Sequence, residues 1–350
     1  MKKIVVIGPN AGMGGVERAS TNMSNGLMEI GCDVTYLALI PENPFFKLNT
    51  KYIEPIDFNL QSMDFLKTLK YIRKNIFDIK PDAIICYTKF YAALANLALI
   101  FTKYQIYVTE RSSPFYKWPK KIEMFCQFSF KIKKVKGVIS QTTIASQYHK
   151  KYYGKTKYTV IPNSVREIQR YQNIEREKFI LAAGRFHDNC KGFDLLVKAF
   201  NLLNDNEWRL IFAGGNQQEG QYLLDLALDH KKSKIDFLGT VKDMDSLYAK
   251  AGIFVMPSRS EGFPNALAEA LAAGCCCVSF DFIAGPRDLI SNGVNGLLVE
   301  PENILEMSKA IDLLIKDDEK RLFFSLNAQN VSIKLDKNTI SNQLFEFIIN

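Results

Sequence analysis

Short apolar runs alternate along the whole chain with amphipathic stretches of helical length, and this alternation limits the possible folds more than any other feature. The first half contains predicted strands at residues 4–8, 33–40, 82–87, 105–110, 135–140 and 157–162. The second half contains them at residues 178–184, 208–215, 234–239, 252–258, 275–280 and 296–300. Strands that alternate with helices are typical of parallel sheets wrapped by helices. We therefore predict an α/β fold of two doubly wound units, for which 350 residues are sufficient.

The two units are expected to join at residues 164–177, a polar segment without a sustained apolar period. This places an N-terminal Rossmann-like domain at 1–164 and a C-terminal one at 165–337. The amphipathic segment 338–350 is expected to pack back on the N-terminal domain. Ligands of open α/β sheets bind beyond the carboxyl ends of the strands. We therefore expect both sets of strand ends to face one central cleft that holds the chemistry.

Composition argues against several classes of protein. No run lacking Asp, Glu, Lys and Arg exceeds 13 residues, whereas a membrane-spanning helix needs about 20. The first apolar run, after Lys2 and Lys3, is too short for a signal peptide, so export is not expected. The seven cysteines include no C-x-x-C pair, so neither a disulfide framework nor a zinc ribbon fits. The adjacent Cys275, Cys276 and Cys277 are expected to be buried free thiols at the start of a strand.

Positive charge is concentrated in the first half of the chain. Residues 1–160 carry 24 Lys and Arg against 11 Asp and Glu, whereas residues 161–350 carry 21 against 26. Residues 117–157 alone hold 11 basic side chains and one acidic one, Glu123, interleaved with aromatic residues. Such a segment suits an anionic membrane surface, where lysines and aromatic rings both bind. A solvated helix face remains an alternative, and a nucleic acid is disfavoured because no nucleic-acid-binding motif accompanies the segment.

The loop after the first strand, GPNAGMGGVER from Gly8 to Arg18, is rich in glycine and opens a helix. Backbone amides at a helix start bind phosphate or diphosphate groups. A dinucleotide fingerprint fails because Glu17 stands where its third glycine belongs, and a P-loop fails because no Gly-Lys-Ser/Thr follows. A tight turn with only a structural role remains an equal alternative.

The first strand of the second half leads into a loop with two cations, Arg185 and Lys191, which lie between Gly184 and Gly192. Because the loop runs from a strand end to a helix start, both cations are expected to converge on one anion. A forked guanidinium and an ammonium together suit a diphosphate. Taken alone, such a pair is more often a surface feature.

The third loop, SEGFPNALAEALAAG from Ser260 to Gly274, is the most specific. Pro264 marks the start of a helix, so Glu261 is expected in the loop and Glu269 one turn into the helix. The helix amides between them form a second anion site, while carboxylates accept hydrogen bonds from sugar hydroxyls. Together with the two cations, these groups describe a site for a nucleotide diphosphate sugar. Taken alone, Glu269 is also compatible with an ordinary acid near a helix N-terminus.

These motifs, together with AGG at 213–215, FLG at 237–239 and FVMPS at 254–258, resemble the family-4 retaining glycosyltransferases of the GT-B fold. The resemblance covers essentially the whole chain and implies two Rossmann-like domains facing a central cleft. It also implies front-face attack by an acceptor hydroxyl, assisted by the departing phosphate oxygen of the donor. No enzymic nucleophile, metal or other cofactor is then expected.

The resemblance implies roles for individual residues. The catalytic residues would be Arg185, Lys191, Glu261 and Glu110. The donor site would be formed by Gly14, Gly15, Gly184, Arg185, Lys191, Leu238, Val241, Glu261, Phe263, Pro264, Asn265, Ala266 and Glu269. Within it, Arg185 and Lys191 would neutralise the diphosphate, with Gly14 and Gly15 approaching from the N-terminal domain. Glu261 would contact the hexose and Glu269 the ribose hydroxyls, with the base near Leu238 and Val241.

One departure from the family concerns the strand end in VTERSSP. Many relatives carry a histidine there, whereas this chain has Glu110 and Arg111. A subgroup that elongates bacterial polyprenyl-linked glycans looks similar. Glu110 would orient the acceptor and Arg111 would bind its phosphate, with a structural role as an equal alternative for either. Asp243 and Asp245 have the spacing of a manganese motif from other glycosyltransferase folds, but they open a helix and are interpreted as helix capping.

The function that this resemblance implies is transfer, with retention, of a hexose or N-acetylhexosamine from a UDP-sugar to a polyprenyl-diphosphate-linked saccharide. N-acetylgalactosamine is the favoured sugar, and the product would serve O-antigen, capsule or glycoprotein glycan synthesis. The enzyme is expected to be cytoplasmic and peripheral on the inner face of the plasma membrane, held there by residues 117–157. A UDP-sugar epimerase of the same fold and a non-catalytic partner that binds nucleotide sugars remain the alternatives.

Overall fold

A computed structural model describes residues 1–8, 15–41, 46–56, 64–111, 113–169, 171, 174–186, 188–283 and 285–350. The chain forms two compact units. Unit 1 comprises Met1–Ser164 with Leu335–Asn350, and unit 2 comprises Val165–Lys334. Each unit is built around its own parallel sheet, which confirms the predicted α/β fold class.

The sheet of unit 1 has seven strands, β1 (Lys3–Gly8), β2 (Asp33–Ala38), β3 (Lys51–Ile53), β4 (Ala83–Tyr87), β5 (Ile106–Glu110), β6 (Gly137–Ser140) and β7 (Lys157–Val160). Their order is β3-β2-β1-β4-β5-β6-β7, with neighbouring strands parallel. The order reverses between β1 and β4, the kind of position where open α/β sheets bind ligands. All five residues of the central strand β4 are buried, which explains its continuous apolar sequence.

Before β7, the described residues of unit 1 form the helices α1 (Gly15–Glu29), α2 (Phe65–Ile79), α3 (Lys89–Ala98), α4 (Lys120–Ile132) and α5 (Thr143–Tyr153). Helix α2 is typical: Thr68, Ile72 and Ile76 lie one turn apart and are buried, while its lysines face solvent. Ile72 and Ile76 join a core that includes residues of the central strands.

The sheet of unit 2 has six strands, β8 (Glu177–Ala183), β9 (Arg209–Ala213), β10 (Ile235–Phe237), β11 (Ala251–Met256), β12 (Cys277–Phe280) and β13 (Leu297–Val299). Their order is β10-β9-β8-β11-β12-β13. The helices of this unit are α6 (Phe193–Asn201), α7 (Gln221–Leu226), α8 (Asp229–Lys232), α9 (Met244–Lys250), α10 (Asn265–Ala272), α11 (Pro286–Leu289), α12 (Ile304–Lys316), α13 (Asp318–Ala328) and α14 (Asn330–Lys334). The switch in strand order falls between β8 and β11, so the loops that follow these two strands are adjacent.

The last helix, α15 (Lys337–Ile349), belongs to unit 1. It packs closely on α1 because Gly26 has no side chain: a Cβ there would lie 2.1 Å from the hydroxyl of Ser341. At the other end of α15, the ring of Phe347 meets that of Tyr107 at 5.7 Å between centroids. The chain therefore returns to its first unit after completing the second.

The adjacent Cys275, Cys276 and Cys277 are fully buried free thiols, as predicted, and β12 begins at the third of them. The thiol of Cys275 lies 2.9 Å from the carbonyl oxygen of Tyr248. Burial raises the pKa of the Cys276 thiol to about 12, so this side chain behaves as an apolar group. In the described ranges no helix has the length and apolar character needed to cross a bilayer.

Candidate active site

The turn that carries Lys191 is shaped by a glycine. After β8 the chain passes through Gly184 and Arg185 into a short 3₁₀ turn, Asn189–Lys191, and α6 follows Gly192. Gly192 has φ of 65°, and a Cβ there would lie 2.0 Å from the carbonyl oxygen of Pro257. Only glycine allows this approach, which brings the turn against the end of β11.

The approach places Lys191 beside Glu261. Nζ of Lys191 lies 2.7 Å from Oε1 of Glu261, and the hydroxyl of Ser258 donates to the same oxygen at 3.0 Å. The methylene chain of Lys191 runs past Gly184, where a Cβ would lie 3.2 Å from it. The structure therefore brings together the predicted ammonium, the predicted carboxylate and the backbone glycine.

Arg185, the second predicted cation, is placed differently. Its side chain is 80% exposed and lies 3.9 Å from a carboxylate oxygen of Asp188. An exposed pair at that distance contributes little free energy, so the guanidinium can turn toward an anion at low cost. Convergence of Arg185 and Lys191 on one anion stays a prediction.

A residue that sequence reasoning missed, Arg259, joins the two loops. Its guanidinium donates to both carboxylate oxygens of Asp194 at 2.8 Å and to the carbonyl of Asn189 at 2.9 Å. Its backbone N–H donates to the carbonyl of Cys190 at 2.7 Å. The hydrogen bonds from Arg259 lower the pKa of Asp194. The only sequence signal was an arginine two residues before Glu261, and nothing local indicated its partner.

Helix α10 begins at Asn265, directly after Pro264, as predicted. Phe263 and Pro264 are buried, and a Cβ on Gly285 would lie 2.4 Å from the proline ring, so this glycine makes room for the turn. Proline has no side-chain acceptor to cap the first-turn amides of the helix. Together with the half-buried Ala266, these residues form the helix start that was predicted to bind an anion.

Glu269 lies one turn into α10, as predicted, and is largely buried. Its Oε2 lies 3.8 Å from Nε of Arg166. The guanidinium of Arg166 also donates to both carboxylate oxygens of Asp245, to Oδ2 at 2.9 Å. Sequence reasoning assigned Arg166 to a polar linker and did not foresee either contact.

Asp243 caps the start of α9, which confirms the capping interpretation for this residue, whereas Asp245 bonds groups outside its helix. Asp243 accepts from the backbone N–H of Ser246 at 3.0 Å and from the hydroxyl of Tyr171 at 2.9 Å. Asp245 accepts from Arg166 and from the backbone N–H of Gln169 at 2.9 Å. Within the described ranges, no group of three or more His, Cys, Asp or Glu side chains is arranged to hold a metal ion.

The predicted base site follows β10. Leu238 is exposed, and its backbone N–H donates to the carbonyl of Phe212 at 2.9 Å. Gly239 follows with φ of 64°, and Val241 is half-buried. An exposed leucine held on an ordered turn offers an apolar surface to a ring, and its role at the base stays a prediction.

In unit 1, Gly14 lies outside the described residues and α1 begins at Gly15. Glu110 ends β5 and is buried, and its Oε1 accepts from the hydroxyl of Tyr153 at 2.7 Å. Burial raises the pKa of Glu110, an effect that the bond from Tyr153 and the charge of Lys89 oppose. Glu110 therefore lies in the interior of unit 1, where its carboxylate accepts a hydrogen bond from Tyr153.

Arg111 is equally buried. Its Nε donates to the hydroxyl of Thr109 at 2.6 Å and its Nη1 to Oδ1 of Asn163 at 2.9 Å. The guanidinium also lies 5.8 Å from the centroid of the Tyr87 ring. Burial lowers the pKa of Arg111. These contacts tie the end of β5 to the segment after β7, which is the structural alternative considered for this residue.

The basic segment 117–157 separates into an outer and an inner set. On α4, Met124 is 69% exposed and Phe128 60%, and Ile132 follows one turn later. Lys120, Lys121 and Lys131 of the same helix are exposed. By contrast, the ammonium of Lys133 donates to the carbonyl of Leu99, which ends α3, at 2.8 Å and to that of Tyr104, shortly before β5, at 2.7 Å. We call Met124, Phe128, Ile132, Lys120, Lys121 and Lys131 the α4 face.

Two family models match the chain. Residues 13–167 match "Glycosyltransferase Family 4" and residues 164–331 match "Glycosyl transferases group 1". The chain belongs to the glycosyltransferases. Its two parallel α/β units are those of the GT-B fold, as the resemblance implied. The enzyme class that the resemblance implied is thereby confirmed.

Curated glycosyltransferases align with nearly the whole chain. An uncharacterized glycosyltransferase of Haemophilus influenzae is 28% identical, covering 93% of this chain and 94% of its own length. A Campylobacter jejuni protein is 25% identical over 94% and 93%; its name is GalNAc-alpha-(1->4)-GalNAc-alpha-(1->3)-diNAcBac-PP-undecaprenol alpha-1,4-N-acetyl-D-galactosaminyltransferase. Among solved structures, a Rickettsia africae glycosyltransferase has a TM-score of 0.83 at 19% identity, covering 99% and 98%. Anabaena HepE, solved with UDP, has a TM-score of 0.80 at 17% identity, covering 99% of each chain.

Proposed function

We propose that this glycosyltransferase moves an N-acetylhexosamine or hexose, with retention, from a UDP-sugar to a polyprenyl-diphosphate-linked saccharide. The observation that carries the donor part is the contact between Lys191 and Glu261 next to the start of α10. This contact places a cation that can bind phosphate beside a carboxylate that can bind sugar hydroxyls. The acceptor part, and N-acetylgalactosamine as the favoured sugar, are supported by the Campylobacter jejuni relative, whose name includes both.

Charge development explains how these groups would accelerate transfer. As the glycosidic bond breaks, negative charge grows on the departing diphosphate and positive charge on the anomeric carbon. Lys191 and the first amides of α10 would stabilise the diphosphate more in the transition state than in the ground state. Arg185, which is exposed, would turn toward the same phosphates. The acceptor hydroxyl would attack from the same face and give up its proton to the departing phosphate oxygen.

Glu261 would orient the sugar. The bonds from Lys191 and Ser258 both end on its Oε1. We propose that Oε2 accepts a hydroxyl of the donor hexose, while Glu269 accepts the ribose hydroxyls. The two carboxylates, eight residues apart along the chain, would thus contact opposite ends of the donor.

Glu110 and Arg111 enter this proposal as residues that shape unit 1 and not as direct acceptor contacts. Both are buried and bonded to neighbours in their own unit. Glu110 ends β5, and Arg111 joins that strand to the segment after β7. Their replacement is expected to disturb the strand ends where an acceptor would bind.

We further propose that the enzyme is peripheral on the cytoplasmic leaflet, where a polyprenyl diphosphate acceptor would lie. The α4 face supports this attachment, because exposed apolar side chains flanked by lysines suit an anionic interface. Each lysine near the headgroups contributes about 1 kcal/mol. This narrows the attachment from the whole segment 117–157 to one face of one helix.

The decisive experiment is a donor screen. Purified protein would be incubated with single UDP-sugars and a synthetic polyprenyl-diphosphate-linked acceptor, and released UDP would be measured. UDP-N-acetylgalactosamine should give the fastest acceptor-dependent release, and the proton coupling constant of the product's anomeric centre should show retention. An inverted product would contradict the mechanism, and the absence of acceptor-dependent UDP release from every UDP-sugar would contradict the donor.

A further inference from the structure

Arg166 lies between two carboxylates of unit 2. Its guanidinium donates to both oxygens of Asp245, and its Nε lies 3.8 Å from Oε2 of Glu269. The three side chains come from different places: the segment before β8, helix α9 and helix α10. Arg166 is therefore the point at which the segment between the two sheets meets the predicted ribose site.

The environment makes this contact matter. The side chains of Asp245 and Glu269 are only 11% and 12% exposed. A buried charge costs free energy unless an opposite charge or hydrogen-bond donors lie beside it. Arg166 provides positive charge to both, and the bonds to Asp245 raise the pKa of its guanidinium. The two bonds to Asp245 fix the plane of the guanidinium and so hold its charge beside Glu269, which a lysine ammonium could not do in the same way.

We infer that Arg166 is a positioning residue for the nucleotide: it fixes the orientation of the Glu269 carboxylate toward the ribose hydroxyls of a nucleoside diphosphate. This inference rests on the proposed function, in which Glu269 reads the ribose. It gives the polar segment before β8 a part in donor recognition. A role limited to anchoring that segment would need Asp245 but not Glu269.

The two contacts of Arg166 allow the roles to be separated. Arg166→Met removes the charge beside both carboxylates. Asp245→Asn is the matched control, because it weakens the anchor to α9 and leaves the guanidinium next to Glu269. Arg166→Lys keeps a charge without the planar fork. Thermal unfolding of each variant shows whether the fold is retained.

Calorimetric titration with UDP and with 2′-deoxy-UDP measures how strongly the ribose hydroxyl is read. Wild-type protein should bind UDP about 10-fold tighter, because a hydrogen bond to a charged group is lost with the hydroxyl. Arg166→Met should bring this ratio close to one, because it should weaken the binding of UDP and leave the binding of 2′-deoxy-UDP unchanged. Asp245→Asn should keep most of the ratio, and Arg166→Lys should restore part of it.

Two results would overturn the inference while leaving the donor site intact: an unchanged ratio in Arg166→Met, or a ratio lost equally in Asp245→Asn. Failure of the proposed function looks different. Glu269→Gln would then keep the full ratio, or wild-type protein would bind neither nucleotide, and the role of Arg166 would fall with it.

Discussion

The ammonium of Lys191 lies 2.7 Å from Oε1 of Glu261, although the two residues are 70 positions apart. Their loops follow β8 and β11, which are neighbours in the sheet of unit 2. Parallel neighbours bring their carboxyl ends to the same edge, so distant loops become partners. The pair holds two charged groups in fixed places before a donor binds, and preorganised charge stabilises a transition state without further reorganisation.

Lys191→Ala is expected to lower kcat by about 100- to 1,000-fold and to change UDP affinity much less. The reason is that its charge acts on a phosphate whose negative charge grows during bond cleavage. Steady-state kinetics and titration with UDP check the two quantities separately. Lys309→Ala, which removes an exposed lysine of α12, is the control and should behave as wild type. Unchanged turnover in Lys191→Ala would remove this residue from the mechanism.

Arg259→Met is expected to weaken UDP binding about 10-fold while leaving uridine binding unchanged. Arg259 ties the Lys191 turn to the Glu261 loop through Asp194, and this loop leads into α10. Loss of Arg259 would therefore displace the first amides of α10 as well as Lys191, and both are proposed to meet the diphosphate. Titration with both ligands isolates the diphosphate contribution. Arg259→Lys keeps the charge but not the planar guanidinium, so its affinity for UDP should fall between those of wild type and Arg259→Met. An equal loss for uridine would mean that the whole unit is perturbed.

Chelation with EDTA is expected to leave the rate of UDP release unchanged. Lys191 and Arg185 would supply the positive charge that a divalent ion supplies elsewhere, and the Asp243 and Asp245 carboxylates are bonded to protein groups. Release would be compared before and after chelation and after manganese is restored. A loss that manganese reverses would contradict the metal-independent proposal.

His149 is expected to make the protein less stable in acid. Burial lowers the pKa of His149 to about 4 from 6.5, with the charge of Lys89 adding to the effect, and Nδ1 bonds the hydroxyl of Ser140 at 2.7 Å. Between these values the unfolded chain binds the extra proton. The contribution of His149 to the free energy of unfolding is therefore constant above pH 6.5 and falls by up to about 3 kcal/mol as the pH approaches 4.

Urea unfolding at a series of pH values checks this contribution. His149→Asn, which places an amide near the position of Nδ1, should show a smaller loss of unfolding free energy between pH 7 and pH 4.5 than wild type. Parallel curves for the two proteins would show that other groups cause the acid sensitivity.

Much of the fold follows from local sequence. Strands such as β4 and β11 are buried throughout, so their residues form unbroken apolar runs that stand out between polar loops. Strand β3 was missed because three residues are too few to show a pattern. Predicted strand 275–280 begins later, at Cys277, because Cys275 and Cys276 pack in the core before pairing starts.

The candidate site was predictable only in part. Glu261 and Lys191 were both assigned to one donor site, but their direct contact was not foreseen, because it depends on β8 and β11 being neighbours in the sheet. The partners of Arg259 and Arg166 depend on which loops meet in space, and no local pattern carries that information. From sequence alone Arg111 would be taken for an exposed cation, because guanidinium groups are rarely buried. Its burial depends on the hydrogen-bond acceptors that Thr109 and Asn163 supply.

Binding to anionic vesicles is expected to depend on the α4 face. Changing Lys120, Lys121 and Lys131 to Gln should weaken binding to phosphatidylserine vesicles by up to about 100-fold, from about 1 kcal/mol for each lysine. Lys133 is left unchanged because its ammonium holds the end of α3. Changing Met124 and Phe128 to Ser should weaken binding even at high salt, where lysine contributions are screened.

The matched control changes Lys309, Lys316 and Lys320 of unit 2 to Gln, which removes the same charge from another surface. Vesicle co-sedimentation compares the proteins, and activity on a short water-soluble acceptor shows whether catalysis is intact. The α4 variants should lose vesicle binding and keep that activity, because the proposed donor groups lie in unit 2. If the control variant lost as much binding as the lysine variant of α4, net charge and not this helix face would govern attachment, and the proposed orientation at the membrane would have to be abandoned.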